Sequence, residues 1–146
     1  MNAQTLLKRY ASGEQDFRRI DLSHIELEGV QLVSIWLDWT ILNGANLRSA
    51  VFLETHLSGT SLFEADLTEA ILTEADLYKA KLQRANLHRA ILYRAKMRRA
   101  ILVDANLSEA IFYEADLTEA DLAGADLSDA HFFNTRMPDG SIRNDA

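Results

Sequence analysis

The chain has 146 residues, 22 acidic against 15 basic side chains, a formal net charge of −7 and no cysteine. That length gives one domain whose folding should bury roughly two thirds of its unfolded surface, the acidic balance argues against nucleic acid as the default partner, and the missing thiols exclude disulfides and thiolate zinc sites. No apolar run approaches the roughly 18 residues of a membrane span and MNAQTLLKRY has no stretch of signal-peptide type, so a cytoplasmic protein without a membrane partner is expected.

In chain order, the first predicted element is a short helix. Leu6, Leu7 and Tyr10 fit one face and Gly13 stops it, which makes Asn2 to Ser12 a candidate N-terminal cap. From Phe17 onward a large apolar residue recurs every five positions without a break to Phe132, and only Leu, Phe or Met occupies this centre. Two residues before each centre stands a small or aliphatic residue, which is Ala fourteen times in succession from Ala65 to Ala130. On an α-helix five residues advance about 500°, so the centres would scatter around the axis instead of forming a stripe. In an extended segment, residues two apart face the same way, so Ala and Leu of one pentad point inward and two residues remain for a corner. Gly29, Gly44, Gly59 and Gly124 all fall two residues after a centre, where a turn needs backbone freedom. Asp or Asn often precedes the centre, as at Asp66, Asp76, Asn86, Asn106 and Asp116, and can bond turn amides. The period therefore outweighs the helical propensity of Ala, Leu, Glu and Arg. Ile20, Ile25, Val30 and Ile35 replace Ala, so the first coils are expected to be less regular. The last element is a turn at Pro138, in MPDG, that ends strand pairing.

The units EADLT, EADLY, RANLH, DANLS and GADLS resemble the A(D/N)LXX repeat of the pentapeptide repeat proteins, cyanobacterial type included, over Phe17 to Phe132. The resemblance implies an all-β, right-handed quadrilateral β-helix, a solenoid of four pentads per coil and about six coils, roughly 29 Å long at the spacing of hydrogen-bonded strands. The expected organisation is a helical cap at 1–14, the β-helix at 15–134 and a C-terminal turn and tail at 135–146.

With four pentads per coil, residues twenty apart stack. The basic stretch Lys79 to Ala100, which has eight Lys or Arg and no carboxylate, then becomes a belt between acidic coils. Its corners read Glu64, Arg84, Asp104 on one edge, Glu69, Arg89, Glu109 on the next and Glu74, Arg94, Glu114 on a third, which suits ladders that specify register. Tyr78, His88 and Tyr93 interleave the belt as stacking sites would, yet the alternating ladders make nucleic-acid binding the unexpected outcome.

One side is apolar on its outer face, with Val51 and Leu53, Ile71, Ile91 and Tyr93, Ile111 and Tyr113, and Phe133 around successive centres. Its neighbours show Asn46, Asp66, Asn86, Asn106 and Asp126, and His56, Asp76, Lys96 and Asp116. The apolar column is either a protein contact of the order of 300 to 600 Å² or a set of β-branched and aromatic residues that stabilise strand stacking. Trp36 and Trp39 are either binding anchors or packing groups over the helix and first coils.

Catalysis needs groups that converge in a pocket, and a convex rod filled with Leu and Ala offers none. His24, His56, His88 and His131 belong to four different sides. No catalytic, cofactor-binding or metal-binding residues are assigned, and an enzyme is not expected. The expected function is a protein-interaction or scaffold module with an unidentified protein partner or a weak homodimer. The alternative is a DNA mimic that regulates a type II topoisomerase or another DNA-binding protein, since some members of the resembled family act so. Duplex DNA carries one charge per about 1.7 Å, so a matching rod would need roughly 17 net negative charges, well beyond −7.

Overall fold

Parallel bridges join residues twenty apart from Asp16↔Trp36 through to Asp116↔Arg136, so each coil takes twenty residues and four pentads. The computed structural model, which describes residues 1–145, is thus a four-sided β-solenoid with one short helix, α1 (Ala3–Ala11), at its start. It closes on a two-stranded antiparallel pair, β1 (Thr135–Arg136) and β2 (Ile142–Arg143).

The hydrogen bonds of one pentad show why the repeat reads as it does. The Asp66 N–H donates to the Ala45 carbonyl on the preceding coil at 2.9 Å. Leu67 and Glu69 donate to Asn86 and His88 on the following coil at 2.7 and 2.8 Å. The Ala70 N–H closes the turn onto the Leu67 carbonyl at 2.9 Å. That leaves the Thr68 amide, and the Asp66 side chain takes it at 3.0 Å. Every backbone donor is paired, as a stable interior requires, and the Asp or Asn before the centre is the acceptor for the one amide that the ladder omits. The same bond recurs at Asp76, Asn86, Asn106, Asp116, Asp121 and Asp126.

The corner residue, two after each centre, has positive φ at every pentad, whether it is Gly or a charged residue such as Glu69 at 59° or Arg89 at 56°. An L-residue there costs about 1 kcal/mol or more. The cost is accepted because the corner amide then reaches the next coil. Inside, Leu and Ala fill the core with almost no exposure from Leu32 to Leu117, and the Phe112 and Phe132 rings stack 5.1 Å apart on adjacent coils.

The first coils keep the bridges and corner conformation of the rest, but their turns are less regular, as expected: the Val30 amide reaches the Leu27 carbonyl only at 3.4 Å, and two turn bonds are absent. Where the turn bond onto Phe17 and Leu32 is missing, their carbonyls accept from the buried hydroxyls of Thr40 and Thr55 at 2.9 and 3.1 Å. One expectation needs correction: pairing does not stop at residue 134. Arg136 and Pro138 carbonyls accept from Leu117 and Glu119 at 2.7 and 2.9 Å, because Met137, five after Phe132, is another half-buried centre. The tail beyond it holds β2 rather than a bare turn, and its last residue, Ala146, lies outside the described residues.

Helix α1 starts on an Asn2 side chain that accepts from the Thr5 amide at 2.9 Å. Leu6 is fully buried, and Ala3, Leu7 and Tyr10 pack against the core. The Tyr10 hydroxyl meets both the Val33 amide, at 2.9 Å, and its carbonyl, at 3.3 Å.

Candidate interaction surfaces

The apolar side is built from the residues next to the centres Phe52, Leu72, Leu92, Phe112 and Phe132. Val51, Ile71, Ile91 and Ile111 bridge one another in sequence. They are half-buried, not exposed, because β-branched side chains at coil spacing cover each other. Leu53 and Tyr93 are half-buried as well. Only Tyr113, 41% exposed, and Phe133, 55% exposed, stand clear. The continuous outward column expected from sequence therefore shrinks to its C-terminal part.

There the side opens into a groove of about 520 Å³ lined by Tyr93, Tyr113, Glu114, His131, Phe132, Phe133 and Asp145. Tyr113 and Phe133 meet edge to face at 6.0 Å, and the Arg94 guanidinium lies 5.0 Å from the Tyr93 ring. Because Ile replaces Asp or Asn before these centres, the amides of Thr73, Tyr93 and Tyr113 find no acceptor among the described residues. His131 follows from the twenty-residue offset, since it bridges Ile111; sequence alone missed Asp145, whose place on the rim depends on where β2 returns.

The corner ladders are close but uneven. Arg89 lies 3.5 Å from Glu69 and 3.4 Å from Glu109, and Arg94 lies 3.8 Å from Glu74 and 2.6 Å from Glu114. Arg84 reaches Glu64 at 2.8 Å but makes no ion pair with Asp104, whose shorter side chain instead covers Gly124. A fourth pair, Arg99 with Glu119, obeys the same offset and was legible in the sequence. The hydrogen bond that Arg99 donates holds the Glu119 carboxyl below the usual range, and the bond that Arg94 donates to Glu114 raises Arg94. These side chains are exposed or half-exposed, so solvent screens each pair and single pairs add little stability.

The tryptophans pack on the coils and not on α1. Trp36 meets His56 edge to face at 5.9 Å, with the Arg18 guanidinium 4.8 Å over its ring. Trp39, 54% exposed, lies across Gly59, where an added Cβ would fall 2.4 Å from the indole. Among the described residues no group of three His, Asp or Glu is placed to hold a metal ion, and no helix is long and apolar enough to cross a membrane.

Eight copies of the pentapeptide repeats family model match this chain, over residues 36–68, 60–99, 70–108 and 100–137. Among solved structures, the pentapeptide repeat protein Rfr23 from the cyanobacterium Cyanothece 51142 is 28% identical, with a TM-score of 0.62 over 88% of this chain and 94% of that one. The pentapeptide repeat protein alr5209 from Nostoc Pcc 7120 is 32% identical over 86% of this chain and 95% of its own, with a TM-score of 0.47. QnrB1, a plasmid-mediated fluoroquinolone resistance protein, shares the fold at 17% identity, with a TM-score of 0.56 over 84% of this chain and 69% of that one. No curated protein matches the chain.

Proposed function

The chain belongs to the pentapeptide repeat family, whose fold is the right-handed β-helix, and from that premise we propose that it is a non-enzymatic interaction module whose Tyr113/Phe133 groove receives a partner protein. One observation carries this reading: the groove of about 520 Å³ is lined by the exposed rings of Tyr113 and Phe133 beside Tyr93 and His131. Aromatic side chains in a depression are the usual anchors of interfaces. An apolar patch on the order of 300 Å² contributes a gross several kcal/mol at about 25 cal/mol per Å², most of which association offsets. A weak, reversible complex is the result.

In the same reading, 1–14 is the N-terminal cap, with α1 covering the first coil; about six coils follow, as the steps of twenty from Asp16 to Arg136 imply; and the alternating Glu/Arg corners specify coil register. The protein works in the cytoplasm. The DNA-mimic alternative is disfavoured, because the net charge is −7 and cations interrupt the acidic surface at mid-rod.

The test substitutes Tyr113→Glu and Phe133→Glu. Both side chains are exposed, so circular dichroism and thermal unfolding should stay near wild type. Self-association by sedimentation, and capture of any cognate protein by the wild type, should be lost. If wild type neither associates nor captures a protein through this groove, or if the variant unfolds early, the aromatic residues serve the fold and the reading fails.

A further inference from the structure

We propose a second docking site, at the corner that runs Trp39, Gly59, Lys79, Arg99, for an extended segment of a partner protein that carries an apolar side chain followed or preceded by carboxylates. This site lies off the Tyr113/Phe133 side and does not depend on it.

The belt of basic residues is not uniform. Arg84, Arg89, Arg94 and Arg99 each have a carboxylate partner, whereas Lys79, Lys81, Lys96 and Arg98 form no ion pair among the described residues. Lys79, Lys81 and Arg98 are exposed and adjacent, while Lys96 bridges Asp76 and Asp116 on another side. The Lys79 amide donates to the Arg98 carbonyl at 3.0 Å, and Lys81 bridges Ile101 on the coil that carries Arg98 and Arg99. At this corner two cations, Lys79 and Arg99, stack; the other corners put a carboxylate against each arginine, and their like-charge neighbours, Glu54 with Glu74 and Glu109 with Asp129, are carboxylates. Like charges at cross-strand spacing oppose folding, and a local rule broken without a structural gain marks a candidate functional site.

Two coils earlier the same two columns are apolar. Trp39 precedes Gly59 and Lys79 on the corner; beside it Ile41 bridges Ser61, which bridges Lys81. Trp39 and Ile41 are exposed, at 54% and 39%. Gly59 is buried beneath the indole, and Ser61 is half-buried. A tryptophan at φ 59° is itself an uncommon choice for a left-handed corner. The columns therefore grade from apolar through small to cationic over about 10 Å, two coil spacings, which an extended segment covers in about three residues. Tyr78, with Lys79 Nζ 5.2 Å from its ring, adds an amphipathic wall. Asp76 on one side and Asp116, Glu119 and Asp121 on the next coil bound the cationic area. A long polyanion would meet these carboxylates; two to four acidic side chains of a peptide would not.

The experiment uses the full chain with Trp36→Phe, so that Trp39 alone reports, and a fluorescein-labelled peptide Leu-Leu-Ser-Ser-Glu-Glu-Glu-Glu, its reversed sequence, and a single-stranded thymidine oligonucleotide. Anisotropy should give a dissociation constant on the order of 100 µM or tighter for one peptide direction, weakening as salt rises, with a change in Trp39 emission. Lys79→Glu with Lys81→Glu should weaken binding roughly tenfold or more, as loss of two charge contacts predicts, while the thermal midpoint stays level or rises. Lys79→Gln with Lys81→Gln provides the same test without charge reversal, should the first pair misfold. Arg84→Gln with Arg89→Gln should leave binding unchanged. Binding that survives both Lys pairs, no binding of either peptide at low salt, or tighter binding of the oligonucleotide would each overturn the proposal. None of these outcomes bears on the Tyr113/Phe133 groove.

Discussion

At mid-rod three corners alternate in sign, Glu/Arg/Glu or Glu/Arg/Asp, while the fourth runs Trp39, Gly59, Lys79, Arg99 before it meets Glu119. All four have the same backbone, with positive φ at each corner residue, and all four use the corner amide in the same coil-to-coil bond. The difference teaches that the fold fixes conformation at the corner and leaves side-chain identity free. Corner chemistry is therefore where this solenoid can encode contacts, and the centres, which tolerate only Leu, Phe or Met, are where it encodes stability.

The largest effect should come from crossing that division. Leu92 is fully buried, and Leu92→Ala should cost about 3 kcal/mol in urea unfolding, since close-packed neighbouring coils cannot collapse onto the void. A loss under about 1 kcal/mol would mean that the core, like the corner, tolerates change.

Within the corners, the occupied and open glycines should separate. Gly59→Ala must adopt φ 66° and displace the Trp39 ring, so a loss of about 1 to 2 kcal/mol with an altered Trp39 emission is expected. Gly29→Ala has φ 67° but nothing within 4 Å, and should show only the backbone part, about 1 kcal/mol. Equal losses would place the whole cost in the backbone.

Lys79→Glu should turn the exceptional corner into one like the others. Set against Arg99, the new carboxylate should raise the thermal midpoint slightly at low salt and by less at high salt. A thermal midpoint that falls would show that Lys79 already supports the fold.

Titration of single exposed carboxylates should give the smallest change. Arg18 holds Asp16 down to about 2, and Ser23 and Ser128 lower Asp21 and Asp126. At Asp66 burial pushes upward, but Thr68 and Arg48 together outweigh it and the carboxyl is lowered. A depressed folded value means that the stabilisation is complete above the unfolded carboxylate range, about pH 4, and is lost as pH falls toward about 2. Urea midpoints measured as pH is lowered through that window should decline; a flat or rising trend would contradict the Asp bonds to Arg18, to the Ser and Thr hydroxyls and to the turn amides.

Much of the fold was legible because the repeat is long and strict. The five-residue period alone places Ala65 and Leu67 inward and Glu69 at a corner, since alternate positions of an extended chain share a face and no helix can align such centres. The Arg89 and Arg94 contacts followed from the twenty-residue offset. Met137 was just as available, five residues after Phe132, and was passed over because Pro138 beside it reads as a stop. Proline lacks only the donor, however, and its carbonyl still serves Glu119.

What the sequence determined by itself is the register: which residues face in, which turn, and which lie above one another, because a strict repeat makes every coil the same backbone problem. Tertiary structure decided how far each side chain reaches across the gap between coils. Asp104 is too short to pair with Arg84 and settles over Gly124, the Ile71, Ile91 and Ile111 column covers itself, and Trp39 lies down on Gly59 while Tyr113 and Phe133 remain open to solvent. Those outcomes depend on side-chain length, rotamer and the neighbour one coil away, which stacking order names but does not measure.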